Sequence, residues 1–168
     1  MSWYFQDLAK LKSINPRQEG SGDDAEPAVD LDFEATVGPD ELRAALGAAT
    51  EREVREAFWS GDWIEGSVQE RFPGMGTVKV PDREFLDMIA HVDGIKLAPA
   101  SVHKFAFTVQ PDGTAALTFQ ISMTRPPANA LAVFHEHLKT EVPVHVVASQ
   151  QDLDLEAGEQ REETAEEA

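Results

Sequence analysis

Three runs of strict alternation constrain the fold of this chain more than any other feature. Val29, Leu31, Phe33, Ala35 and Val37 are separated by Asp30, Asp32, Glu34 and Thr36. His103, Phe105, Phe107 and Val109 keep the same period, as do Ala115, Leu117, Phe119, Ile121 and Met123. Successive side chains on an extended backbone point to opposite faces, so a period of two predicts strands with one buried and one wet face. The second and third runs flank Pro111-Asp112-Gly113, turn chemistry that predicts a hairpin. Val142, Val144 and Val146 predict a last strand, with residues 151–155 as its extension, and residues 77–80 a short one.

Between these strands the pattern becomes helical. Gly38-Pro39 predicts a helix to about Ala49, since proline suits a first turn. Thr50-Glu51-Arg52-Glu53 has capping-box spacing and predicts a second helix to Trp59. Phe85, Met88, Ile89 and Val92 fall at offsets 0, 3, 4 and 7, which predicts a helix from Pro81 that closes at Asp93-Gly94. Pro126-Pro127 opens another, bearing Ala130, Leu131, Phe134 and Leu138. The expected fold is therefore α+β: a two-layer domain over residues 29–155, with a mostly antiparallel sheet and helices mainly on one face. Leu31-Asp32-Phe33 with Pro39 is echoed by Leu117-Thr118-Phe119 with Pro126, but no fixed repeat period accompanies the echo.

The two ends differ from the body. In residues 2–14 Tyr4, Leu8 and Leu11 lie near one helical stripe beside Trp3 and Phe5, and Asn15-Pro16 is a stop signal. An amphipathic helix over 1–16 is expected. Residues 17–28 hold glycine, serine, proline and charge with no bulky apolar side chain, the composition of a flexible acidic linker. Residues 156–168 carry six glutamates against one arginine and read as a disordered acidic tail.

Charge and composition exclude several functions. The chain has 168 residues, no cysteine, and 31 acidic against 14 basic side chains, a net charge of -17. No disulfide or thiol nucleophile is possible. No apolar run approaches the ~20 residues that span a bilayer, and the first residues lack the basic-then-apolar order of a signal peptide, so a cytoplasmic protein that binds no membrane is expected. An acidic body disfavours direct contact with nucleic acid, whose phosphates need lysine and arginine. It suits a basic protein surface, or imitation of nucleic acid to block such a surface.

No motif commits the chain to catalysis. The His135–His137 spacing of two would place the rings about 200° apart on a helix, whereas helical zinc pairs use a spacing of four. Asp30, Asp32 and Glu34, and again Asp152, Asp154 and Glu156, could present oxygens to Mg²⁺ or Ca²⁺, but no calcium-loop motif accompanies them; a charged face that protects a strand edge is the simpler reading. Gly74-Met75-Gly76 is too short for a phosphate loop, and there is no nucleophile elbow. His91, His103 and His145 read as helix-end or sheet residues. Phe58, Trp59 and Trp63 read mainly as core around a turn.

No catalytic residue, metal ligand or cofactor is assigned. Trp3, Tyr4, Phe5, Leu8 and Leu11 are the expected partner-binding residues, since each large apolar side chain left in water forgoes roughly 1.5–3 kcal/mol. The leading expectation is a non-catalytic interaction or assembly protein that uses its N-terminal helix as a tethered docking element on a partner protein or a second copy. The alternatives are an acidic nucleic-acid mimic and a small metal-dependent hydrolase.

Overall fold

The computed structural model describes residues 3–149. The expected tail, the strand extension over 151–155 and the Asp152–Asp154–Glu156 row lie outside the described residues. Nine strands and three α-helices follow in order: β1 Phe5–Glu19, β2 Glu26–Val37, α1 Pro39–Leu46, α2 Ala48–Phe58, β3 Trp59–Ser60, β4 Gln69–Glu70, β5 Thr77–Val80, β6 Phe85–Val92, β7 Ile95–Val109, β8 Ala115–Thr124, α3 Ala130–Glu136 and β9 Glu141–Ala148.

The fold is not a two-layer α+β sandwich. Its described residues are mostly sheet, 52% strand against 20% helix, and the six main strands close into an antiparallel β-barrel. Around the ring the order is β7-β6-β9-β1-β2-β8, and a β7–β8 pairing closes it. The alternation that suggested a one-sided sheet is equally the signature of a barrel, because both structures bury one face and wet the other. Closure could not be read from the alternation alone.

The decisive strands are the two that the sequence presents as helices. β1 joins β9 to β2, and β6 joins β7 to β9. Without them the other four strands form no ring. In β1 the apolar side chains on both faces, Trp3, Phe5, Ala9 and Leu11 inside and Tyr4 and Leu8 outside, imitate a helical stripe. Pro16 ends no helix: β1 pairs with β9 only as far as Lys10↔Glu141, so Pro16 sits where that edge of the strand needs no N–H donor.

β6 is irregular. Its register with β7 shifts between Phe85 and Met88 and again between Met88 and Ala90. Those shifts break the period of two and leave buried positions at helical offsets. Asp93-Gly94, expected to close a helix, is the hairpin turn from β6 to β7, with φ of 50° and 80°.

The expected linker is a hairpin too. Arg17 to Glu19 pair with Glu26 to Ala28, and only residues 20–25 turn, through a 3-10 segment at Gly22–Asp24. α1, α2, β3 and β4 form an excursion between β2 and β6. Trp59 is buried, and its Nε1 donates to the Gln110 carbonyl at 2.8 Å, which ties the excursion to the β7–β8 end of the barrel. Phe58 meets Phe107, and Trp63 packs on Trp59, as a core reading of these aromatics requires.

The barrel interior is solid. Trp3 is 1% exposed, with its ring centroid 5.5, 6.0, 5.3 and 5.1 Å from those of Phe5, Phe85, Phe105 and Phe119. Leu31, Phe33, Leu97, Leu117, Ile121 and Phe134 extend the same core. Of the five expected partner-binding residues, Trp3, Phe5 and Leu11 are thus buried within their own barrel, while Tyr4 and Leu8 stand in solvent at 49% and 52% exposure.

Candidate functional site

Two outer faces of the barrel carry chemistry. On the first, β1, β2, β8 and β7 lie side by side, and their polar side chains form rungs. Register places Asp30 opposite Ser122 and Asn15, Asp32 opposite Gln120 and Ser13, and Glu34 opposite Thr118 and Lys10. Asp30 accepts from Arg17 Nε at 2.9 Å and from Ser122 Oγ at 2.7 Å. Asp32 accepts from Ser13 Oγ at 2.5 Å and from Gln120 Nε2 at 2.8 Å. Glu34 lies 3.3 Å from Lys12 Nζ.

The carboxylate row therefore does not protect an edge, because β2 is paired on both sides. Both oxygens of Asp30 and of Asp32 are already committed to neighbours in the barrel, and Glu34 meets Lys12. Burial alone raises the Asp30 carboxyl; hydrogen bonds from Arg17 and Ser122 and the Arg17 charge outweigh that and hold it below the ordinary aspartate range. Among the described residues no three His, Cys, Asp or Glu side chains are grouped as they would be around a metal ion.

The same face holds the nearest approach to a nucleophilic relay. His103 Nε2 lies 3.0 Å from Ser122 Oγ, and His103 Nδ1 lies 3.6 Å from Glu84. The wiring runs the wrong way for catalysis. Gln120 gives its amide N–H to Asp32, so its carbonyl oxygen faces His103 Nε2 at 2.9 Å. Nε2 must then carry the proton, and it cannot take one from the serine. The Ser122 hydroxyl proton points instead to Asp30. A Ser–His–acid relay needs the opposite arrangement and an open nucleophile, and Ser122 is buried.

The second face is formed by β1, β9 and β6. His91 stands opposite His145 across β6 and β9, with ring centroids 5.9 Å apart and planes 25° from parallel. The Tyr4 ring meets His145 edge-on at 5.4 Å, and its hydroxyl donates to Gln6 at 2.5 Å. Beside them a groove of about 300 Å³ is lined by Leu8, His91, Gly94, Pro143 and His145 among others. His145 Nε2 is buried without a hydrogen-bond partner among the described residues. The structure thus brings Tyr4 and Leu8 together on one outer face and sends Trp3, Phe5 and Leu11 to the inside. The sequence signal for this face was weak: His145 breaks an otherwise apolar alternating strand, and nothing local ties it to His91.

The remaining sequence candidates serve structure. His135 is exposed on α3, and His137 at its end pairs with Asp93 of the β6–β7 turn at 2.9 Å. The capping box expected at Thr50 and Glu53 does not form, because α2 starts at Ala48 with Gly47 as its N-cap; Glu51 is instead a buried carboxylate between Arg43 and Arg55, at 3.6 and 3.5 Å. Among the described residues no helix is long and apolar enough to cross a membrane. No protein-family model, curated protein or solved structure matches this chain.

Proposed function

We propose that this chain is a non-catalytic interaction or assembly protein of the cytoplasm that docks a partner protein on the outer face of β1, β9 and β6. The observation that carries this reading is the pair Tyr4 and Leu8, about half exposed beside an apolar groove while the other apolar side chains of their segment, Trp3, Phe5, Ala9 and Leu11, are buried. Aromatic and apolar side chains that stay in water next to a preformed hollow are what an interface anchor requires. The partner is a different protein with an apolar side chain in a basic surround. A chain of net charge -17 attracts such a surface and repels a second copy of itself. A cysteine-free chain suits a reducing compartment as well as any other.

The docking element of this reading is a strand face and not a tethered helix. The nucleic-acid mimic has less support, since Asp30 and Asp32 are bonded within the barrel and Glu34 is paired with Lys12. The metal-dependent hydrolase has less support, since among the described residues no three His, Cys, Asp or Glu side chains are grouped as they would be around a metal ion.

A photo-crosslinking residue at position 6, which lines the same groove, tests the proposal in the full chain, with position 36 on β2 as control. The expected result is one defined protein crosslinked at 6 and not at 36, recovered again in the reciprocal capture, lost with Leu8→Asp and strengthened at low salt. Capture that survives Leu8→Asp refutes it. A crosslink to a second copy, with the solution mass doubled, replaces the proposed partner with a homodimer.

A further inference from the structure

Three backbone irregularities in this barrel each deliver a lysine to the same place. Between Leu11↔Phe33 and Ser13↔Asp32, β1 has one residue more than β2, and that residue is Lys12. Between His103↔Gln120 and Ala106↔Thr118, β7 has one residue more than β8; the residue after His103 is Lys104, at φ 54°. Lys139, just before β9, has φ 69°. Its backbone N–H donates to the Leu11 carbonyl at 2.7 Å and its Nζ to the Lys12 carbonyl at 2.6 Å.

Left-handed backbone disfavours any residue with a Cβ, and glycine or asparagine is its usual occupant. A bulge re-aims the side chain of its extra residue. Lysine at all three positions has no local conformational advantage.

The three side chains line one hollow of about 360 Å³, together with Ser13, Asp32 and Thr118. The whole chain, of net charge -17, has only six lysines, so half of them gather here. Internal neutralisation accounts for two at most. Asp32 and Glu34 are the nearby carboxylates; Asp32 has both oxygens taken by Ser13 and Gln120, and Glu34 is satisfied loosely by Lys12. Lys104 is exposed and makes no hydrogen bond or ion pair among the described residues. Lys139 meets only a carbonyl.

We infer that this hollow binds the phosphate of a small phosphorylated molecule, held by Lys12, Lys104 and Lys139. The fork of arginine matches carboxylate and phosphate alike; among the described residues the hollow offers lysine point charges and no arginine. Ammonium groups from three separate strands and turns can instead surround a tetrahedral, multiply charged oxyanion from several sides. The surrounding acidic surface repels a long polyanion such as nucleic acid, which restricts the ligand to a small one. The site shares no residue with the groove at Leu8.

Calorimetric titration of the full chain with inorganic pyrophosphate tests this, at ionic strength held constant with NaCl. The expected result is saturable binding of one equivalent, weakened roughly tenfold by Lys104→Ala and again by Lys139→Ala, as loss of one charge-assisted bond predicts. Lys104→Gly separates binding from folding. It should lose affinity equally while leaving the thermal midpoint of the free protein unchanged or higher, because glycine relieves the left-handed position. Lys96→Ala, on β7 away from the hollow, should bind as the wild type does. Absence of saturable heat, or affinity indifferent to Lys104→Gly, overturns the inference and leaves the lysines as countercharges to Asp32 and Glu34.

Discussion

Replacing Trp3 by alanine separates two roles for the start of the chain. If the indole serves only an external partner, the isolated protein should not notice its loss. In the barrel it is 1% exposed and touches four aromatic rings, those of Phe5, Phe85, Phe105 and Phe119. Truncating a buried tryptophan removes its transfer free energy and leaves a cavity, together about 3–5 kcal/mol. A domain holds only about 5–15 kcal/mol in total, so this is a large share. For a chain of this length each kcal/mol moves the thermal midpoint by about 2–4 °C, so a fall of about 6–20 °C is expected. Thermal unfolding of the purified protein, followed by far-ultraviolet circular dichroism, measures it. Leu8→Ala, 52% exposed on the same strand, is the control and should change stability by no more than about 0.5 kcal/mol. A Trp3→Ala midpoint equal to that of the wild type would refute the argument, because no fully packed indole can be lost without effect.

Other consequences follow from named contacts. The Asp30 carboxyl has a folded pKa below its unfolded one, so its contribution is fully present above roughly pH 4 and is lost as pH falls through the folded value. Asp30→Asn should flatten the decline of unfolding free energy between about pH 5 and pH 2, and parallel acid limbs for the two proteins would contradict this. Gly61 has φ 116°, and a Cβ there would lie 2.0 Å from the Ser67 carbonyl oxygen. Gly61→Ala should therefore cost about 2 kcal/mol or more in thermal unfolding. Gly66→Ala, at φ 75° with open space around it, should cost only about 1 kcal/mol. Equal losses at the two glycines would remove the role given to the close approach at Ser67.

The outer chemistry was only partly visible in one dimension. The row Asp30, Asp32, Glu34 was legible as one face of a strand, since alternation settles that directly. Its partners were not. Ser13 and Arg17 lie in a segment whose apolar residues fall on both faces, and Gln120 and Ser122 lie about ninety residues away. Tyr4 and Leu8 were picked out by their apolar cost, yet Trp3, Phe5 and Leu11 shared that signal and went inside. Hydrophobicity says that a side chain seeks shelter and is silent about which surface supplies it. The lysine hollow was invisible for a related reason: Lys12, Lys104 and Lys139 are brought together by bulges and a left-handed turn, none of which has a period.

The sequence by itself determined the strands of strict alternation, the β7–β8 hairpin at Pro111-Asp112-Gly113, the helices that begin at Pro39 and near Pro127, and the presence of a helix before Trp59, whose start it put at Thr50 where the structure has Ala48. Each depends on neighbours within a few residues, where side-chain period and turn chemistry act. Tertiary structure alone decided that residues 5–19 and 85–92 are extended, and with them that the sheet closes on itself. A bulged strand, or one with apolar residues on both faces, looks helical in isolation. It is held extended by hydrogen bonds to strands distant in sequence, and those bonds exist only once the ring has formed.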